Sequence, residues 1–211
     1  MATLLERDAE GKAIRVYSQN DEEAVITEYF NGFTGRFLDI GAYDGKTFSN
    51  TYRLVELGWC GICFEPSPSV FPRLREIHRD NPRITVVQTA ISDRTGRQRF
   101  YDSNGDAIST FDERHKKRWE DGAKSVFSEV EVDTVSVEEM FGTYGRNFDF
   151  INLDVESCNW EIFRAFDFAG MSMLRLICVE HDGWIEAMMK IMHPFGFHEL
   201  ARNAENLIAG R

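Results

Sequence analysis

Phe37-Leu38-Asp39-Ile40-Gly41-Ala42-Tyr43-Asp44-Gly45, followed by Gly61-Ile62-Cys63-Phe64-Glu65-Pro66, decides the fold of this chain. Each stretch is a short apolar run that ends in an acidic residue. The first leads through a glycine-containing turn into an amphipathic segment, 47–57, closed by Gly58. Strand, tight turn, helix, strand is the nucleotide-binding half of a doubly wound α/β domain. Gly41 and Gly45 are read as letting the backbone pass close to a ligand, and Glu65 as accepting two hydrogen bonds from ribose hydroxyls.

The spacing does not fit a dinucleotide. A G-x-G-x-x-G beginning at Gly41 needs glycine at positions 43 and 46, which hold Tyr43 and Lys46. The pyrophosphate cradle is therefore missing, and an NAD or nucleotide-sugar enzyme is the weaker alternative. Asp-x-Gly-x-x-x-Gly with a later acid suits S-adenosylmethionine, which has a ribose and an amino-acid tail but no phosphate. Asp39 is expected to hold the amino group of that tail or its bridging water.

At 211 residues, one domain with a core that needs no disulfides is the default. No apolar run is long enough to cross a bilayer, and 1–20 is polar without a signal-peptide core, so a cytoplasmic protein with no membrane partner is expected. Cys60 and Cys63 flank the start of a buried strand and read as packing residues; no second pair has zinc spacing. A net charge of −11 argues against nucleic acid as a partner, because phosphate binding needs a basic face. The basic cluster Arg114-His115-Lys116-Lys117-Arg118 reads as a solvated helix face.

A loose N-terminal arm is expected over 1–20 and a single domain over 21–211. Asp21 is expected to cap a helix over 22–30. Strands follow at 36–41, 61–65 and 84–91, alternating with helices at 46–57 and 68–79. The pattern breaks at 94–135, read as an insertion over the ligand face, part hairpin and part mobile loop. Within it, 103–125 is expected to be the most mobile segment and to order around ligand. A short helix at 137–141, a strand at 148–155, a helix at 158–166, a strand at 174–180, a methionine-rich helix from Ile185 and an antiparallel pair at 197–202 and 206–209 complete the sheet. Ligands of such sheets bind beyond the carboxyl ends of the strands. Those ends carry Asp39–Asp44, Glu65–Ser67, Ala90–Asp93, Asp154 with Glu156, and Glu180-His181-Asp182.

These residues resemble one known group, the FkbM-type S-adenosylmethionine-dependent methyltransferases. The elements are Phe37–Ala42, Asp44-Gly45, Ser49-Asn50-Thr51, Phe64-Glu65-Pro66-Ser67-Pro68, Ala90-Ile91-Ser92-Asp93 and Ile151-Asn152-Leu153-Asp154-Val155-Glu156. The resemblance implies a Rossmann-like, mostly parallel seven-stranded sheet with a C-terminal antiparallel strand. It also implies cofactor contacts from Asp39, Gly41, Ala42, Asp44, Gly45, Asn50, Glu65, Pro66, Ser67, Ala90, Ile91, Asp93 and Asp154. The usual reaction is O-methylation of a hydroxyl on a sugar or small natural product, here a small-molecule or glycan acceptor. Where members of the group often have glycine after Asp-x-Glu, this chain has Ser157 and Cys158. His181 is expected to be the general base, with Asp154 or Glu156 orienting it or binding acceptor hydroxyls, because a histidine titrates near neutrality. Asp154, Glu156 and His181 are also the candidate ligands of a divalent metal, a reading less favoured than the metal-free base. A catalytically inactive cofactor-binding module is the alternative from another functional class.

Overall fold

The computed structural model describes residues 5–7 and 13–211. Of the arm expected over 1–20, residues 1–4 and 8–12 lie outside the described residues. The described part pairs β1 (Leu5–Arg7) with β2 (Ala13–Arg15). Tyr17 is then buried, its N–H donating to Glu23 Oε2 at 2.8 Å and its hydroxyl to Glu56 Oε1 at 2.6 Å, so the end of the arm is tied down. Helix α1 (Glu22–Phe30) starts without a side-chain cap from Asp21, contrary to expectation. Glu22 and Glu23 occupy its first turn, where a helix N-terminus favours negative charge.

The first half of the domain runs β3 (Arg36–Ile40), α2 (Tyr52–Glu56), β4 (Cys60–Phe64), α3 (Phe71–His78) and β5 (Ile84–Val87). Helix α2 is half the length expected. The Asp44 carboxylate accepts from the N–H groups of Lys46 and Thr47 and from the Thr47 hydroxyl, and this holds residues 44–47 in a capped loop. The single strand expected at 84–91 divides in two. β5 is the edge of the main sheet, and after Gln88-Thr89 the chain resumes as β6 (Ala90–Ser92) in a second sheet. A β-branched run reads alike on an edge strand and a central one.

The insertion adds β7 (Gly96–Asp102), α4 (Glu113–Ala123) and β8 (Ser128–Ser136), with β8 between β6 and β7. The hairpin is as expected. The expected loop at 103–125 instead contains α4, whose N-terminus is capped by the Asp112 side chain. Its sequence is polar almost all round, and one buried residue, His115, marks its inner face, so no apolar period announced it. The second half runs α5 (Val137–Tyr144), β9 (Phe150–Leu153), α6 (Asn159–Phe163), β10 (Leu176–Glu180), α7 (Ile185–Met192), β11 (His198–Arg202) and β12 (Asn206–Gly210).

The main sheet has the order β11-β12-β10-β9-β3-β4-β5, parallel from β10 to β5, with β12 antiparallel to both neighbours. This is the expected Rossmann-like architecture. Period-two alternation sorts the core into two layers. Leu38, Ile40, Ile151 and Val179 pack with Met140, Phe163 and Met188 of α5, α6 and α7; Phe37, Phe150 and Leu176 pack on the other face with Ile26, Leu54 and Leu74 of α1, α2 and α3. The chain starts in the middle at β3, builds outward to β5, then returns to β9. The crevice of such a sheet opens where that order reverses, between the carboxyl ends of β3 and β9. Among the described residues no helix is long and apolar enough to cross a membrane.

Candidate active site

A cavity opens at that reversal. Its floor is a row of side chains that strand register sets across the sheet. Asp39 lies opposite Cys63 on β4 and Asn152 on β9, and Asn152 lies opposite Cys178 on β10. Asp39 is 2% exposed. One carboxylate oxygen accepts from the Thr51 hydroxyl at 2.6 Å, the other from Asn152 Nδ2 at 2.9 Å. Burial nevertheless raises its pKa above the usual carboxylate range. Asn50 lies over the row, its amide donating to Asn152 Oδ1 at 3.0 Å and to Cys178 Sγ at 3.6 Å. Its Oδ1 is buried and has no partner among the described residues. A buried acceptor left unmatched costs about 1–3 kcal/mol.

Glu65 stands at the tip of β4, 7% exposed. Its carboxylate accepts from the Ser67 N–H at 2.7 Å and the Tyr43 N–H at 3.0 Å, one bond to each oxygen. Those two bonds fix the side chain and leave each oxygen a further acceptor direction. Burial pushes its pKa up to about 8, against the pull of the two N–H groups, and the nearby charges of Asp102 and Asp39 add to the rise.

The opposite wall is acidic. Asp154 and Glu156, which follow β9, line it; Glu180, the last residue of β10, and Asp182 neighbour them outside the cavity lining. Burial, then the charge of Glu180, holds Asp154 well above the usual carboxylate range. The Asp154 and Glu180 carboxyls pair with each other, an arrangement that needs one proton between them. Glu156 is raised by burial and by Glu180, Asp182 and Glu205, and Arg118 pulls it down. Residues 156 and 157 both have left-handed backbone, φ 56° and 72°, pinned by the Thr110 hydroxyl donating to the Glu156 carbonyl at 2.7 Å. His115, from α4, sits behind Glu156. Its Nδ1 is 2.8 Å from Ser157 Oγ and 3.0 Å from Arg118 Nη2. A guanidinium only donates, so Nδ1 accepts and Nε2 carries the proton. That Nε2 faces Glu156 Oε2 at 3.4 Å, with no other partner among the described residues. Burial, then the Arg118 charge, lowers the His115 pKa to about 4, so the ring is neutral near neutral pH.

The Methyltransferase FkbM domain matches residues 39–199, from the floor of the cavity to β11. The chain belongs to the FkbM methyltransferase family. A 71-residue stretch is 42% identical to the 2-O-methyltransferase NoeI of Sinorhizobium fredii (strain NBRC 101917 / NGR234), covering 33% of this chain and 28% of that relative. Among solved structures, monomeric WbdD superposes with a TM-score of 0.50 at 10% identity, over 93% of this chain and 42% of that one. A candidate caffeoyl-CoA O-methyltransferase from Staphylococcus aureus gives 0.50 at 8% identity, over 90% and 82%. At these identities the two structures share the fold.

In this FkbM domain, Asp39, Gly41, Ala42, Asn50, Glu65, Pro66, Ala90, Ile91, Asp154 and Glu156 line the cavity. Five residues expected at the site do not. Asp44 is spent on capping the loop at 44–47. Gly45 lies against α3, where an added Cβ would meet Leu74 and His78. Ser67 is fully buried and donates to Asp102 Oδ2 at 3.0 Å. Asp93 is exposed and takes a hydrogen bond only from Ser92. His181, the expected base, is turned away: its Nδ1 accepts from the Gly183 N–H at 2.9 Å, and Nε2 faces the Asn203 carbonyl at 3.4 Å. Its basic nitrogen is therefore occupied, and Asp154, Glu156 and His181 do not converge as a metal trio. Among the described residues no group of three or more His, Cys, Asp and Glu is placed to hold a metal. Sequence reading missed Asn152, Tyr43 and Phe48, which line the cavity, and Thr51 and His115 behind it. Asn152 had a usable signal, an amide inside the apolar strand Phe150–Leu153.

Raised carboxyls make the folded chain hold protons that the unfolded chain has released. Stability is then lost as pH rises between the ordinary carboxylate value and the raised one, for Glu65 between 4.5 and about 8. His115 acts with opposite sign between about 4 and 6.5, so above pH 6.5 the carboxyls dominate. The melting temperature of the ligand-free protein is expected to fall from pH 6.5 to 8, with Glu65 contributing roughly 2 kcal/mol. Glu65→Gln should flatten that slope; a melting temperature that rises over this interval contradicts the assignment.

Proposed function

We propose that this chain is an S-adenosylmethionine-dependent methyltransferase that methylates a hydroxyl of a sugar or small natural product. The observation that carries the reading is Glu65, a buried carboxylate with one free acceptor direction on each oxygen, in an FkbM domain. Its two oxygens suit the two adjacent hydroxyls of a ribose. The unmatched Asn50 Oδ1, beside Asp39, suits an ammonium donor such as that of an amino-acid tail. Excess carboxylate around the cavity suits a cationic ligand. Bound there, S-adenosylmethionine would supply an electrophilic methyl group. The NoeI relative, a 2-O-methyltransferase by name, supports oxygen as the acceptor atom.

Glu156 receives the acceptor proton in this reading. It lines the cavity, and it is the member of the acid wall that Arg118 favours in its ionised form. His115 Nε2–H steadies the resulting charge, and Asp154 and Glu180 are engaged with each other. Alignment supplies most of the acceleration and the base adds roughly 10²–10⁴-fold.

Calorimetry with S-adenosylhomocysteine tests the cofactor assignment. Glu65→Ala is expected to weaken binding by about 2–3 kcal/mol, since two buried hydrogen bonds to the ribose are lost. Asp93→Ala, outside the cavity, should leave it unchanged. Equal dissociation constants for Glu65→Ala and wild type would remove Glu65 from the site and the cofactor with it.

A further inference from the structure

Two tryptophans stack beside the acid wall. Trp160 in α6 and Trp184 at the start of α7 have ring centroids 5.0 Å apart and planes 12° apart; Trp160 stacks in turn on Phe163 at 6.4 Å and 17°. Phe163 is fully buried and Trp184 is 47% exposed, so the tier runs from core to surface. The exposure of Trp184 belongs to the face and edges that Trp160 leaves uncovered. A half-wet indole is large apolar area left unburied, and aromatic side chains of this kind are enriched where ligands bind.

The turn that presents Trp184 is rigid. Asp182 and Gly183 are both left-handed, at φ 48° and 82°. The Gly183 N–H donates to His181 Nδ1, and the Trp184 N–H donates to the His181 carbonyl at 2.7 Å. His181, outside the cavity, thus fixes the platform. Asn159 joins platform to cavity. Its Nδ2 donates to Glu180 Oε2 at 2.6 Å and to Asp182 Oδ2 at 3.0 Å, while its Oδ1 accepts from the Val155 N–H at 2.9 Å. Val155, Glu156 and Cys158 are cavity residues.

We propose that Trp184 is a stacking platform for a neutral pyranose ring of a glycan acceptor, adjoining the residue whose hydroxyl is methylated. This deepens the methyltransferase reading and rests on it. A pyranose offers C–H bonds on one face to an indole and hydroxyls around its edge to carboxylates such as Asp182. Asp182 and Glu205 repel a phosphorylated or carboxylated acceptor. A planar phenol would also stack, but it has few hydroxyls for those carboxylates to accept.

The test is calorimetry of the protein saturated with S-adenosylhomocysteine against chitotetraose, cellotetraose and mannotetraose, with polygalacturonate and a flavonol as rival ligands. At least one neutral saccharide should bind, and Trp184→Ala should weaken it tenfold or more with unchanged S-adenosylhomocysteine affinity. Trp184→Tyr should restore most of the loss. With a saccharide that is methylated, Trp184→Ala should raise KM far more than it lowers kcat. Equal saccharide affinity in wild type and Trp184→Ala overturns the platform. So does binding confined to the flavonol or the polyanion, or no saccharide binding by protein that does bind S-adenosylhomocysteine. Failure of wild type to bind S-adenosylhomocysteine refutes the methyltransferase reading instead, and the saccharide arm then judges Trp184 alone.

Discussion

Glu156→Gln is expected to lower kcat by roughly 10²–10⁴-fold while leaving S-adenosylhomocysteine affinity within about threefold, the signature of a lost proton acceptor. The substitution keeps shape and removes only the ability to take a proton. Glu156 is singled out within its wall by its neighbours. Asp154 and Glu180 are engaged with each other, and Asn159 donates to both Glu180 and Asp182, whereas Arg118 and the Nε2–H of His115 both favour a negative Glu156. Burial also raises the Glu156 pKa, which makes its ionised form the stronger base. Steady-state kinetics on any methylated acceptor gives the answer. A Glu156→Gln enzyme within fivefold of wild type, or an equal collapse in cofactor binding, would sink the assignment.

Gly41→Ala is expected to cost more than about 4 kcal/mol of stability, enough to leave much of the chain unfolded. Gly41 lies at φ 88°, a left-handed conformation that costs an alanine about 1–2 kcal/mol. The larger effect is contact. An added Cβ would lie 1.7 Å from the carbonyl oxygen of Asp154, so the tips of β3 and β9 would have to separate. Those tips are joined by the Asp154 N–H donating to the Ile40 carbonyl at 2.9 Å. Gly142→Ala is the control: it lies in α5, with nothing within 4 Å of its added Cβ, and should be neutral or slightly stabilising. Urea denaturation of both variants decides the matter. A Gly41→Ala midpoint equal to wild type would show that the two strand ends are not held as closely as described.

Gly41 also marks the boundary between local and tertiary information. Glycine at that position was legible in the sequence, and its reason was not. Local sequence read it as backbone approaching a ligand, whereas the atom it makes room for belongs to a strand 113 residues further on, the separation of Asp39 and Asn152. The parts read correctly from sequence share one property: their signal is contained in a dozen residues. The apolar runs at Phe37 and Gly61, the β-α-β rhythm and the acids at the strand tips are of this kind, and they sufficed for a mostly parallel sheet because a β-α-β unit closes locally as a parallel pair. The family likeness rests on the same local strings.

What only the tertiary structure decided is which of those polar tips meet. Asp39, Asn152 and Asn50 come together because parallel register aligns β3 with β9, and register follows from packing on both faces of the sheet. His181 was a reasonable base by residue type and position. It is disqualified by the Gly183 N–H on its Nδ1, a bond made by a turn whose left-handed residues only the folded chain reveals. His115 entered the site from a helix without an apolar period, where it meets Ser157 and Glu156. Hydrophobic periodicity is written along the chain and so determines the elements and the sheet. Hydrogen-bond satisfaction among buried polar groups is settled between segments far apart in sequence, and it determines which acid, amide or imidazole is left free to act.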